Sequence, residues 1–450
     1  MEQTFTPSEK WRQFFVIFTP VVISQLMLFS MALIDTMMSG HYSNEALAGT
    51  AIGNSLWGPF NASLSGLLMA VTPIISQLIG RGESHDIKRT VSNGLYIAVG
   101  LAALLLALNF LFVPSILSAM GLDPAVADIA KHFLNGICFG IPAFFFYSVL
   151  RAFIDSLGLT RVTMMITLIT VPVNIFLNYL LIFGNWGFPE MGGAGSGYAT
   201  GITYWIVLLV TIILIQSQKR LHDYHIFSGF AKLDWGKIKE IIKLGVPNGL
   251  TILFEVSIFS AVTVFMGRFG TDTIAAHQSA ISVPTLLYAF PLSIAAALTI
   301  LVGFETGAKR VADARKYRHI GMISAISIGI LNGILLFLFR DQIALLYTSD
   351  PKLADLITHF LIYAILFQFA DALLSPVLGT LRGYKDVTVT SIVAFISYWV
   401  IGLPLGLALS YTQLGPFGFW IGLSAGLFIA AFILSIRVRI TEKRLLIQLK

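Results

Sequence analysis

VPNGLTILFEVSIFSAVTVFMG, residues Val246 to Gly267, contains a single charged side chain, Glu255. A helix of this length covers the roughly 30 Å of a bilayer core at about 1.5 Å per residue. Glu255 stands about halfway along it. A carboxylate at that depth costs roughly 2.5 kcal/mol or more. It therefore requires a protein-lined or wet cavity, a partner, or a proton. The stretch reads as a membrane span carrying a cation site.

Composition supports this. The 450 residues are 56% hydrophobic and 12% charged, with mean hydropathy +0.83. A soluble domain carries about 25% charged residues, so the chain reads as an all-α polytopic membrane protein. The polar start MEQTFTPSEKWRQ lacks a signal-peptide pattern. The one cysteine, Cys138, rules out an internal disulfide and any cysteine-based metal cluster.

Twelve apolar spans follow, approximately 14–38, 46–79, 91–117, 130–150, 162–184, 194–215, 244–267, 273–303, 319–339, 357–379, 388–411 and 417–436. The second and eighth exceed what a bilayer needs. Both carry internal breakers, Pro59 and Gly66 in one, Pro284 and Pro291 in the other, which predict a bend or tilt. With the N-terminus inside, 25 of the 29 Lys and Arg fall on the inner side. Only Lys131, Arg268, Arg340 and Lys352 fall outside. That bias predicts both termini in the cytoplasm and accounts for the basic charge without nucleic-acid binding.

The halves resemble each other. An offset of 227 pairs Pro20 with Pro247, Gly40 with Gly267, Thr72 with Thr299, and Lys88-Arg89 with Arg315-Lys316. Six spans per half give two repeats inserted in the same orientation. The expected organisation is a six-helix lobe over residues 1–218, a cytoplasmic linker over 219–243, and a second six-helix lobe over 244–450. Substrate is expected in a cleft between the lobes, with one lobe rocking against the other.

Of 23 acidic residues, three lie inside spans: Asp35, Glu255 and Asp371. No Lys or Arg was found within the same spans. Glu255 and Asp371 sit at similar depth, each about 18 Å along its helix, and both belong to the second lobe. Two neighbouring carboxylates share a proton or a cation, and hard oxygen ligands suit Na⁺. Asp35 lies nearer the outer end of span one. Asn174 and Asn178 share a helix face at i, i+4, with Thr200 and Thr203 one span on. This second polar cluster reads either as an ion site or as interhelical hydrogen-bond glue. His277 and Gln278 read as interfacial or cavity-lining. Gln368 stands one turn before Asp371, and Tyr288, Phe290 and Phe367 read as cavity walls. The methionines Met27, Met31, Met37 and Met38 read as filler or as an adaptable drug-facing wall. No P-loop, nucleophile elbow or HExxH motif occurs, so no enzymatic activity and no cofactor beyond a coupling ion is expected.

At this point the chain resembles the multidrug and toxic compound extrusion (MATE) family, NorM-type branch, over almost its whole length. LIDTMMSGHYSNEALAG from Leu33, VNIFLNYLLIFG from Val173 and GGAGSGYAT from Gly192 carry the likeness in the first half. PNGLTILFEVSIF from Pro247, GTDTIAAHQ from Gly270 and FQFADALLSPVLGTLRGYKD from Phe367 carry it in the second. The resemblance implies a multi-pass protein of the bacterial cytoplasmic membrane, expected monomeric. It implies export of cationic and amphipathic drugs in exchange for inward Na⁺ or H⁺. Glu255 and Asp371 look like the family's second-lobe coupling carboxylates. Asp35, Asn174 and Asn178 look like its first-lobe cluster. NorM-type proteins often carry a tyrosine where this chain has Phe367, which offers a ring face to a cation but no hydroxyl. The alternative is a lipid-linked oligosaccharide flippase of related architecture, which calls for cations in the cleft. None was found in the spans.

Overall fold

Twelve helices long and apolar enough to cross a membrane make up a computed structural model of the chain, which describes residues 1, 3–229 and 231–448. In order they are α1 Pro7–Tyr42, α2 Asn44–Arg81, α3 His85–Ala119, α4 Pro124–Ser156, α5 Thr160–Phe183 and α6 Gly193–Ser217, then α7 Trp235–Phe269, α8 Thr271–Gly307, α9 Val311–Tyr347, α10 Pro351–Gly383, α11 Thr388–Ser410 and α12 Phe417–Gln448. No strand occurs among the described residues. Each of the expected spans corresponds to one of these helices, most of which extend past the apolar core. Lys450, counted among the inner cations, lies outside the described residues.

The repeat shows in how helices begin. Asp123 caps α4 through the Ala125 amide at 2.9 Å, and Pro124 occupies the first helical position. Asp350 and Pro351, 227 residues later, start α10 the same way, with the cap accepting from the Lys352 amide at 3.0 Å. An Asp cap satisfies a free amide, and proline has none to satisfy.

Both long helices are interrupted. In α2 the break falls at Met69–Ala70, and neither Pro59 nor Gly66 causes it. Pro73 does, because it has no amide to offer the Met69 carbonyl one turn back. In α8 the break falls at Tyr288, one turn ahead of Pro291. A third irregularity was not expected. α11 widens into a π-helical stretch, Ile396–Gly402, just before Pro404.

Two compact units result. One comprises Met1–Val22, Ile79–Arg81 and Val246–Lys450, and the other Ile23–Leu78 and Gly82–Gly245. The first half of α1 thus belongs with the C-terminal helices and its second half with the N-terminal ones. Lys10, expected in a solvated segment, is 1% exposed. Its ammonium reaches Asp313 at 3.2 Å and Glu305 at 3.9 Å, and it donates to the Thr4 carbonyl at 3.0 Å. Glu305, expected at a span end, is fully buried between Lys10 and Arg310.

Within each unit, helices meet through glycine seams. On α4 and α6, Gly136 and Gly140 face Gly197 and Gly201. A β-carbon on Gly201 would stand 2.2 Å from the Gly136 carbonyl oxygen, and one on Gly197 would stand 2.2 Å from that of Phe133. On α11 and α12, Gly402 and Gly406 approach Gly418, Gly422 and Gly426 in the same manner. Lipid provides no hydrophobic drive between helices, so close backbone approach through small residues supplies the packing. Gly201→Val should therefore prevent assembly of the N-terminal unit. The expected readout is loss of the monodisperse peak in detergent size-exclusion chromatography, whereas Gly100→Val, at a position with open space around it, keeps that peak.

Candidate functional site

The C-terminal unit assembles its polar centre from four helices. Glu255 stands on α7 and is half-buried, whereas Asp371 on α10 is 4% exposed. The two carboxylates are close enough for their charges to interact. Ser375, one turn on, donates to Asp371 Oδ1 at 3.3 Å, while Oδ2 is buried with no hydrogen-bond partner. Tyr288, at the break in α8, places its hydroxyl within hydrogen-bonding reach of Glu255. It was expected only as a wall, yet it is a polar partner. The π-helical stretch of α11 brings Tyr398 near both carboxylates, and Trp399 donates from Nε1 to the Phe254 carbonyl at 3.3 Å.

Arg382 is the residue that sequence reasoning missed. It was counted as a loop cation, but it occupies the last turn of α10 at 9% exposure and acts electrostatically on Glu255 and Tyr288. One signal was available. Arg382 follows Asp371 by 11 residues, three helical turns, so the two share a face. Competition for the nearby acid leaves this guanidinium free to do so. In the N-terminal unit, Arg151 pairs with Asp155 at 3.4 Å, and Thr163 donates to the same carboxylate at 2.7 Å. Asp386, four residues past Arg382 as Asp155 is past Arg151, is claimed by Arg437 through two bonds of 2.7 and 3.0 Å and by the Thr441 hydroxyl. Partial burial pushes the Asp386 pKa up, but the Arg437 and Thr441 hydrogen bonds outweigh it and hold it below the usual carboxylate range. Arg382 is left for the interior.

The other second-lobe candidates separate. Gln368 is 4% exposed and borders a small cavity of about 10 Å³ with Pro291, Gly329 and Asn332. Its Oε1 has no partner there, and the cavity is at the lower limit for one water. Phe367 packs edge-on against Phe259 and Trp420, at ring separations of 5.4 and 5.9 Å. Phe290 is half-buried just past the α8 break. His277 is fully buried, contrary to an interfacial reading. Trp420 Nε1 donates to its Nδ1 at 3.1 Å, and its Nε2 meets the Thr263 hydroxyl at 3.2 Å. An indole only donates, so Nδ1 accepts and the ring proton sits on Nε2. Gln278 is exposed and reaches the same Thr263 at 3.4 Å. His277 and Gln278 therefore form a structural knot about 12 Å along α7 from Glu255.

The N-terminal unit holds the second cluster. Asn178 Nδ2 donates to Asp35 Oδ1 and lies 3.1 Å from Asn174 Oδ1. Asn174 Nδ2 continues to the Thr203 hydroxyl at 3.5 Å, which donates to the Ala199 carbonyl at 2.7 Å. Asn174, Asn178 and Thr203 are fully buried, and Asp35 is half-buried. Asn178 Oδ1 has no partner. Thr200 is buried on the same helix at 8% exposure and is not joined to this chain of bonds. Tyr204, not anticipated, lies within electrostatic range of Asp35. Among the described residues no three His, Cys, Asp or Glu side chains converge. Any ion bound in either unit would rest on one or two carboxylates completed by neutral oxygens. The bare oxygens of Asp371 and Asn178 fit that role.

The MatE family profile matches residues 20–180 and 247–408, which hold both clusters apart from Thr200, Thr203 and Tyr204 on α6. The chain belongs to the MatE family. A probable multidrug resistance protein NorM of Listeria monocytogenes is 71% identical over 445 residues, covering 99% of this chain and 98% of the relative. One of Bacillus subtilis is 47% identical, covering 99% and 98%. Among solved structures, an outward-facing multidrug resistance MATE family transporter superposes with a TM-score of 0.86 at 19% identity, covering 99% of each chain. The fold is therefore that of the MATE transporters, with six spans in each half.

His277→Ala should strip the partner from Trp420 Nε1 and open a void, costing about 2–4 kcal/mol. Thermal unfolding in detergent, followed by tryptophan fluorescence, is expected to fall by several degrees. An unchanged midpoint would refute the structural role.

Proposed function

We propose that the protein is a multidrug exporter that exchanges cationic or amphipathic drugs for an inward Na⁺ or H⁺ in the bacterial cytoplasmic membrane, both termini facing the cytoplasm. The observation that carries this reading is the charge balance of the C-terminal centre. Glu255 and Asp371 together bear two negative charges when ionised, and Arg382 offsets one. The centre then lacks one positive charge, which a single monovalent cation or proton supplies. A buried, uncompensated carboxylate is costly in a low-dielectric interior. The centre therefore holds a drug cation or a coupling ion, and an empty ionised state is disfavoured.

Exchange follows from that competition. A cationic drug compensates Asp371 and Glu255 until an inward ion replaces it. Glu255 is half-buried and meets the ligand first, whereas Asp371 Oδ2, unpartnered and deep, gives the stronger reason to take a proton or Na⁺. Where Na⁺ binds, Asp371, Glu255 and the Ser375 and Tyr288 oxygens would hold it, and the ion supplies charge neutralisation. In the N-terminal unit Asp35 has amides and, among the described residues, no cation acting on it, so it too lacks one positive charge. It forms a second, separate candidate for the coupling ion. The ion shifts the transporter between states only by its difference in affinity for them. One charge falling through 100 mV yields about 2.3 kcal/mol, enough for roughly a 50-fold gradient of a neutral drug. The flippase reading is disfavoured, because the one buried guanidinium on α10 is outnumbered by carboxylates.

Glu255→Gln and Asp371→Asn should each abolish ethidium or norfloxacin efflux from cells while surface expression stays normal. Arg382→Gln should slow efflux at least tenfold and Arg382→Lys should retain most of it. Wild-type efflux in either carboxylate variant would overturn the C-terminal assignment. Vesicles given a Na⁺ gradient alone or a proton gradient alone would identify the coupling ion, and the same assay on Asp35→Asn would tell whether the N-terminal cluster carries it.

A further inference from the structure

The basic pair Lys88-Arg89 and its repeat counterpart Arg315-Lys316 have met different fates. In the C-terminal unit both cations are neutralised, Arg315 by Glu442 at 3.0 Å and Lys316 by Asp313 at 3.1 Å. In the N-terminal unit Lys88 donates, among the described residues, only to Ser228, to its hydroxyl at 2.9 Å and its carbonyl at 3.4 Å. Arg89 meets one carboxylate, Asp234, at 2.7 Å, and Lys232 pairs with no carboxylate among the described residues. These three cations and that single acid line an open pocket of about 590 Å³ at the start of α3 and α7.

The segment between α6 and α7 builds the pocket wall and is firmly docked on α3. The Asp234 amide donates to Asn93 Oδ1 at 2.8 Å, the Ala231 amide to Ser92 at 3.1 Å, and Tyr96 to the Ala231 carbonyl at 2.9 Å. The rim is apolar and uncovered. Trp235 is 75% exposed and Leu233 50%. Two turns further along α7, about 10 Å, Ile242 is also exposed, just ahead of the apolar span that begins at residue 244. Trp235 and Leu233 therefore sit at the depth of the membrane interface, where an amphipathic ring is favoured.

We propose that this pocket binds the headgroup of an anionic phospholipid. Lys88, Lys232 and Arg89 receive the phosphate, and Trp235 and Leu233 lie along the acyl chains. A phosphodiester between three cations and one carboxylate restores the local balance. Two features favour a lipid over a free anion: the pocket opens beside exposed apolar side chains, and it lies on the face that the charge distribution assigns to the cytoplasm, whose leaflet is the more anionic. At the matching C-terminal positions, Arg315 and Lys316 each already meet an acid of their own unit.

The test uses the full-length protein in dodecylmaltoside with phosphatidylglycerol or phosphatidylcholine titrated in, read as the thermal unfolding midpoint. It depends on neither transport nor orientation, so its failure leaves the efflux reading untouched. Phosphatidylglycerol is expected to raise the midpoint and phosphatidylcholine is not. Lys88→Gln with Lys232→Gln should raise the half-saturating phosphatidylglycerol fraction about 25-fold, at roughly one unit charge's contribution per lysine. Lys88→Arg with Lys232→Arg should preserve the response, which also decides the matter if the Gln pair lowers baseline stability. Inorganic phosphate at 50 mM should leave the midpoint unchanged. An equal response to phosphatidylcholine, a full response in the Gln pair, or a full response to inorganic phosphate alone would each overturn the proposal.

Discussion

An ionised carboxylate inside a bilayer has to be compensated, and much of the irregular structure in this chain serves that requirement. Glu255 and Asp371 stand within regular helical stretches of α7 and α10, and Ser375, on α10 itself, donates to Asp371. Two further polar neighbours come from places where regular structure fails. Tyr288 lies where Pro291 interrupts α8, and Tyr398 lies in the π-helical widening before Pro404. A continuous helix would carry those hydroxyls on other bearings. Backbone irregularity at membrane depth is tolerated only where it is buried in protein or lines a wet cavity, and both breaks meet that condition beside the carboxylates.

The N-terminal unit answers the same requirement with amides. Asn178 and Asn174 form a relay from Asp35 to Thr203, without any cation. The two units descend from one pattern, as the Asp-Pro starts of α4 and α10 show. Their electrostatics have since diverged through pairing choices. Arg151 is held by Asp155, whereas Asp386, four residues past Arg382, is held by Arg437, which leaves Arg382 for the interior. A centre with a guanidinium and two acids and a centre with one acid among amides each lack one positive charge, but they present it in different surroundings.

Each unit is closely packed. Glycine seams bring α4 onto α6 and α11 onto α12 at backbone contact, and ionic clusters around Glu305 and Glu442 fasten the basic ends of the C-terminal helices. α1 is shared between the units, with Lys10 buried among C-terminal residues while Asp35 joins the N-terminal cluster.

By itself the sequence determined the twelve spans, the repeat and the three acids at membrane depth. Each follows from one-dimensional patterns: runs of apolar residues about as long as a bilayer is thick, a fixed offset of 227, and the rarity of charge in such runs. Only the tertiary structure decided who compensates whom. Arg382 and Lys10 read as loop cations because they stand at span ends, but long basic side chains reach inward as readily as outward, and partner competition sets the direction. His277 read as interfacial because it is polar and near a turn. It is buried because Trp420 and Thr263, 143 and 14 residues away, satisfy both ring nitrogens. Those pairings depend on helix rotation and on the exact sites of the breaks, and neither is written in hydropathy.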